Sequence, residues 1–207
     1  MKLYEYWRSS ASFRVRIGLN LKQVTYERLP VDLRLGEQLG DFSDINAAGL
    51  VPALRVGEDI MSQSVAILNY LDRQYPQPAL YPSDPIERAH VEALVLDIAC
   101  DIHPLNNLRV LAYLKEGFHA DPDQVTLWYH HWLTKGFDAL EQRAMAYKGG
   151  DWFYHNSLTM ADVMLIPQIF NALRYAFDMR PYPQLMQIFQ HAVSQDAFKT
   201  AMPESPD

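Results

Sequence analysis

The chain has 207 residues, 49% of them hydrophobic and 21% charged, which excludes disorder and is enough for a core without disulfide or metal staples. Its 18 Lys+Arg against 25 Asp+Glu give a net charge of −7, which argues against a general nucleic-acid binder. One cysteine, Cys100, excludes a disulfide framework, a four-cysteine zinc site and a CxxC pair; with no signal core and no run of about 18 apolar residues, the composition reads as a soluble cytoplasmic protein with no membrane or nucleic-acid partner.

Lys2 to Trp7 alternates apolar and polar residues, as a strand does. The alternation continues over Phe13–Leu21, but Ser9-Ser10-Ala11-Ser12 supplies helix N-caps and favours a helix there. Tyr26–Val31 reads as a second strand, so the opening resembles a βαβ unit. A short helix is expected within Gly36–Ile45. A hairpin follows, with strands Ala53–Val56 and Asp59–Met61 around the Gly57-Glu58 turn, and then a helix over Ser64–Tyr75. Pro76, Pro78, Pro82 and Pro85 stop regular structure and mark a linker over 76–85, between a mixed domain at 1–80 and a helical domain at 86–207. One long helix is expected from Pro85 towards Glu116, kinked at Pro104. Others are expected over Asp123–Tyr147, from a Thr159–Asp162 capping box, and after Pro183 and Ser194.

No single motif decides a function. Arg8 and the serines after the first strand can form an anion site at a helix N-terminus, or simply cap that helix. Val51-Pro52 opens a strand; a cis bond would leave Val51 free to pair with an extended ligand. Ser64 after Gln63 is either a cap or a carboxylate site on the helix dipole. Polar residues around Pro104 suit solvent, a partner or a cleft. Trp128, Tyr129 and Trp132 read as packing residues. Arg174 near a helix end complements the dipole. The adjacent His130 and His131 point to different helix sides, and no metal-binding set is recognised.

Taken in order, these features resemble the cytosolic glutathione transferases: an α/β, thioredoxin-like N-terminal domain joined to an all-α C-terminal domain. Arg8-Ser-Ser-Ala-Ser-Phe-Arg-Val-Arg-Ile17 is similar to the zeta-class signature SSCSxRVRIAL. Asn46-Ala-Ala-Gly-Leu-Val-Pro52 resembles its NPxxxVP segment and Gln63-Ser64-Val-Ala-Ile67 its QSxAI segment. Ile102–Arg109 is similar to the fourth-helix segment of bacterial maleylacetoacetate and maleylpyruvate isomerases. Ala11 stands where the signature has cysteine, and Ala47 where the segment has proline.

The resemblance implies a glutathione-dependent cis–trans isomerase of maleyl dicarboxylates, such as maleylacetoacetate in tyrosine catabolism or maleylpyruvate in gentisate catabolism. It implies glutathione as cofactor and a homodimer. Ser9 would activate the thiol, with Ser10 and the Ala11 N–H in support. Val51 would pair with the cysteinyl backbone, and Gln63 and Ser64 would hold the γ-glutamyl carboxylate. Gln38, His103, Asn107 and Arg109 fall at further ligand-contact positions. The dianionic substrate calls for cations, and Arg8, Arg109 and Arg174 are the candidates. A general glutathione S-transferase, or a non-catalytic relative lacking an activating hydroxyl, are the competing readings; Ser9 and Ser10 weigh against the second.

Overall fold

In the computed structural model, which describes residues 1–40 and 42–204, the first strand is β1 (Lys2–Glu5). It ends before Trp7 because Tyr6 turns the chain, its carbonyl accepting from Ser9 N–H at 2.9 Å. Helix α1 (Ser10–Leu21) follows, then β2 (Glu27–Pro30), paired parallel to β1. Two short pieces replace the single helix expected near Gly36–Ile45: a 3₁₀ turn at Glu37–Leu39 and α2 (Phe42–Ile45). Strands β3 (Ala53–Val56) and β4 (Asp59–Ser62) form the expected hairpin, and α3 (Ser64–Gln74) closes the unit.

The sheet order is β2-β1-β3-β4, with β3 antiparallel to β1 and β4. Leu3 and Leu54 pack with Val15 and Leu19 of α1 and Ile67 and Leu71 of α3. Val31, Phe42 and Ala53 form a second cluster. Gly18 is needed where the helices meet: a Cβ there would overlap Leu68 Cδ2.

In the second unit, α4 (Pro85–Leu96) begins with Pro85 in its first position, capped by Asp84, whose Oδ1 accepts from the Ile86 and Glu87 N–H groups at 2.9 Å. The expected kinked helix to Glu116 is instead broken. A π-helical stretch (Asp97–Ile102) and a 3₁₀ turn (Pro104–Asn106) lead to an extended Asn107, and α5 (Leu108–Phe118) starts afresh. Pro104 has no N–H to give the ladder, and Asn107 Oδ1 accepts from Arg109 N–H at 3.1 Å, so a new cap replaces a bend. Helix α6 (Pro122–Ala146) starts from an Asp121–Gln124 capping box, and α7 (Met160–Arg174) from the one at Thr159–Asp162. Helices α8 (Pro183–Ser194) and α9 (Asp196–Lys199) follow.

Contacts divide the chain into Met1–Leu80 with the segment from Val193, and Tyr81–Ala192. From sequence alone, everything after 86 groups with the helical domain; the contacts divide the chain differently. The terminal segment packs with the first unit because α1 holds it: Arg16 Nε donates to Ala201 O at 2.8 Å and Asn20 Nδ2 to Ala197 O at 3.0 Å. Among the described residues, no helix is long and apolar enough to cross a membrane.

Candidate active site

The strand register builds the site. Ala53 lies opposite Tyr4 of β1 on one side and Ser62 of β4 on the other. The chain leaving β1, entering β3 and leaving β4 is therefore gathered at one end of the sheet. Those three stretches carry Arg8–Ala11, Val51-Pro52 and Gln63-Ser64.

Ser9 is the N-cap of α1, its Oγ accepting from Ser12 N–H at 3.2 Å. That bond uses an acceptor lone pair and leaves the hydroxyl proton to donate elsewhere. Ser10 is buried in the first turn and Ala11 half-buried. The exposed Arg8 lies over the Trp7 ring, 4.6 Å from its centroid. Val51-Pro52 is cis, and so is Gln77-Pro78. Val51 has no hydrogen-bond partner among the described residues. Gln38 sits in the 3₁₀ turn with Oε1 buried and without a hydrogen-bond partner among the described residues.

Gln63 holds φ +68° and ψ +115°, an unusual backbone for a non-glycine residue, immediately before α3. Ser64 is buried at the head of that helix and accepts from Arg14 Nη1 at 3.4 Å. Arg14 is a component of the site that its sequence does not announce by itself. It is fully buried, and its Nε and Nη2 have no hydrogen-bond partner among the described residues. Burial pulls its guanidinium down to about 9, so it stays protonated at neutral pH.

This end of the sheet fits glutathione. It offers a hydroxyl and free N–H groups at the start of α1 for a sulfur, a residue before a cis proline with no hydrogen-bond partner among the described residues for a peptide backbone, and a second helix N-terminus with a buried cation behind it for a carboxylate.

Comparison with known proteins identifies the family. Residues 1–73 match the glutathione S-transferase N-terminal domain. A probable maleylacetoacetate isomerase of Vibrio cholerae is 46% identical over 209 residues, covering 99% of this chain and 97% of its own length. The structure is similar to that of a maleylpyruvate isomerase described as a bacterial zeta-class glutathione S-transferase, with a TM-score of 0.95 and 43% identity over 98% of this chain and 97% of that one. The chain belongs to the zeta-class glutathione transferases. A further structure of TM-score 0.86 and 35% identity, covering 100% of this chain and 92% of that one, is a maleylacetoacetate isomerase of Anaeromyxobacter dehalogenans with dicarboxyethyl glutathione and citrate in its active site.

The remaining candidates of this zeta-class chain lie in the second unit. His103 is half-buried in front of Pro104, Asn107 caps α5, and Arg109 is exposed in the first turn of that helix. Arg174 is the last residue of α7, exposed and 5.9 Å from the Tyr175 ring centroid. That end of α7 is fixed from α6: buried Tyr129 stacks on Tyr175 at 4.3 Å and its hydroxyl donates to Asn171 Oδ1. Burial raises the Tyr129 hydroxyl above its ordinary range, so it remains a neutral donor. Arg8, Arg109 and Arg174 form no ion pair among the described residues, whereas Arg28, Arg34, Arg88, Arg143 and Arg180 do.

Proposed function

We propose that this protein isomerises maleyl dicarboxylates from cis to trans with glutathione as cofactor. The observation that carries the reading is the convergence of two hydroxyl-bearing helix N-termini, Ser9 on α1 and Ser64 on α3, at one end of a four-stranded sheet. When bound, glutathione supplies a thiol nucleophile that adds to the conjugated double bond and leaves after rotation about it. Ser9 donates its hydroxyl to the sulfur, and the α1 dipole favours the thiolate over the thiol, with Ser10 and the Ala11 N–H in support. Ala11 in place of the signature cysteine leaves this role intact, because the nucleophile is not a side chain of the protein. Val51 presents its N–H and carbonyl to the cysteinyl backbone. Gln63, Ser64 and the α3 N-terminus take the γ-glutamyl carboxylate, and Gln38, His103, Asn107 and Arg109 make further ligand contacts. Arg8, Arg109 and Arg174 receive the substrate carboxylates and the negative charge that develops beside them.

A maleyl end is common to maleylacetoacetate and maleylpyruvate, so the deciding experiment is a spectrophotometric assay of both, with and without glutathione. Glutathione-dependent turnover of either supports the reading. Turnover of a neutral electrophile alone would make the protein a general transferase, and no turnover of any kind a binding module.

We further read the protein as a cytoplasmic homodimer. Support comes from exposed Ile60 on the edge strand β4 and exposed Ile86 and Leu96 on α4, apolar side chains suited to an interface. Sedimentation equilibrium at twice the 23.9 kDa chain mass supports the dimer; the chain mass itself refutes it.

A further inference from the structure

Helix α1 buries two arginines two residues apart, and they are treated differently. Arg16 is neutralised: its Nη1 pairs with Glu5, its Nε donates to Ala201 O, and its Nη2 donates to Trp7 O at 3.3 Å. Arg14 is 1% exposed and, among the described residues, has one hydrogen-bond partner, the Ser64 hydroxyl, with Nε and Nη2 left bare. No carboxylate offsets its burial, which alone accounts for its lowered pKa. An unpaired buried cation is costly, and a core position that merely filled space would be better served by an apolar side chain.

Its location supplies a reason. Arg14 meets Ser64 and Gly18 meets Leu68, so the pairs advance by four residues along both helices, which run parallel. The side-chain-free Gly18 lets α1 approach α3 closely enough to set the guanidinium at that helix's N-terminus. By donating to Ser64 Oγ, Arg14 occupies an acceptor lone pair and turns the serine proton away from itself, towards whatever sits over the first turn of α3.

We propose that Arg14 is a positioning residue: a buried counter-charge, acting through Ser64, for an α-amino-acid carboxylate held at the start of α3. The inference rests on the glutathione reading above. It adds that affinity for this carboxylate depends on a residue that solvent cannot reach. The positive φ of Gln63 belongs to the same device, since it sets the direction in which the first N–H groups of α3 point.

The test compares two ligands, glutathione and 4-aminobutanoyl-Cys-Gly, which lacks only the γ-glutamyl α-carboxylate. Calorimetric affinities are measured on wild type, Arg14→Met and Arg14→Lys. Wild type should prefer glutathione by about tenfold or more, as a charge-assisted bond requires. Arg14→Met should cut the preference to below about threefold by weakening glutathione alone, and Arg14→Lys, which restores a cation, should recover part of it. A wild-type preference surviving in Arg14→Met, or equal losses on both ligands, overturns the proposal and leaves Arg14 a packing residue. Equal affinities in wild type itself would overturn the carboxylate assignment, and the proposal with it. Should Arg14→Met not fold, the Arg14 Nε–H resonance of wild type, identified by its loss in Arg14→Lys, carries the test. It should shift on adding glutathione and stay in place with the analogue; identical responses overturn the proposal.

Discussion

Replacing Asp162 with alanine removes three hydrogen bonds from the buried head of α7. Its Oδ1 accepts from Phe153 N–H at 2.9 Å, and its Oδ2 from Thr159 N–H at 2.8 Å and the Thr159 hydroxyl at 3.2 Å. The side chain is 0% exposed, so water cannot take over, and two backbone N–H groups are orphaned. At about 1–3 kcal/mol for each orphaned donor, the substitution should cost about 3–5 kcal/mol. Urea unfolding reads this directly, and calorimetry should show the melting point lower by roughly 10 °C. The consequence reaches the site, because α7 ends at Arg174, the proposed substrate clamp. The carboxyl also makes the effect depend on pH. Burial pushes it up to about 6 from 3.8, against the pull of its hydrogen bonds. The folded state therefore holds a proton that the unfolded state has released between about pH 4 and about pH 6, and stability falls as pH rises through that window. Relative to Asp162→Asn, which does not titrate, wild type should lose up to about 3 kcal/mol across it. A wild type that gains on the Asn variant as pH rises would show that the hydrogen bonds outweigh burial. It would refute the reasoning.

Other perturbations separate the parts of the site. Ser64→Ala should weaken glutathione by about tenfold or more in calorimetry, having lost a hydroxyl bond to a charged group; unchanged affinity would move the carboxylate elsewhere. Ser9→Ala should raise the pKa of bound glutathione in a thiolate-absorbance titration and lower turnover at neutral pH, and an unshifted curve would transfer the role to Ser10. Arg8→Met and Arg174→Met should each lower isomerase kcat/KM by about tenfold while sparing a neutral chloro-nitrobenzene; equal losses on both substrates would assign the arginines to glutathione or to the fold. Gly18→Ala tests the α1–α3 contact. Alanine in a helix interior ordinarily gains about 0.5–1 kcal/mol over glycine, but here the overlap with Leu68 should reverse the sign, and a stabilised variant would show that Leu68 yields cheaply.

Strand and cap signals were legible wherever the local chain decides its own conformation. The hairpin strand Ala53–Val56, the Asp84-Pro85 helix start and the Thr159–Asp162 box all lie where propensity and side-chain bonds act within a few residues. The break after α4 was not legible, because Pro104 permits either a kink or a stop. The choice falls to tertiary contacts such as Asn106 Nδ2 to Tyr129 O at 3.3 Å and Trp128 Nε1 to Leu105 O at 2.8 Å, both from residues 23 positions apart. Continuity of helical signal groups the residues after 193 with the helical domain, whereas the bonds from Arg16 and Asn20 to Ala201 and Ala197 span most of the chain.

The alternation over Phe13–Leu21 looked strand-like for a reason that also hid part of the site. A helix with one wet face would have shown a period near 3.6, but every residue from Ser12 to Leu19 is buried, so α1 has no polar face to mark its period. Two of those buried residues are arginines, Arg14 and Arg16, and in a sequence they look alike. What distinguishes them is the counter-charge, and that is a property of the sheet and of α3. Glu5 reaches Arg16 from β1, while among the described residues only a serine hydroxyl hydrogen-bonds to Arg14. Ser9 and Ser64 stand beside strand ends where a motif can point to them. Arg14 lies one turn inside a helix, and its part in the site follows only once the register of β1, β3 and β4 has brought α3 to the same end of the sheet as the start of α1.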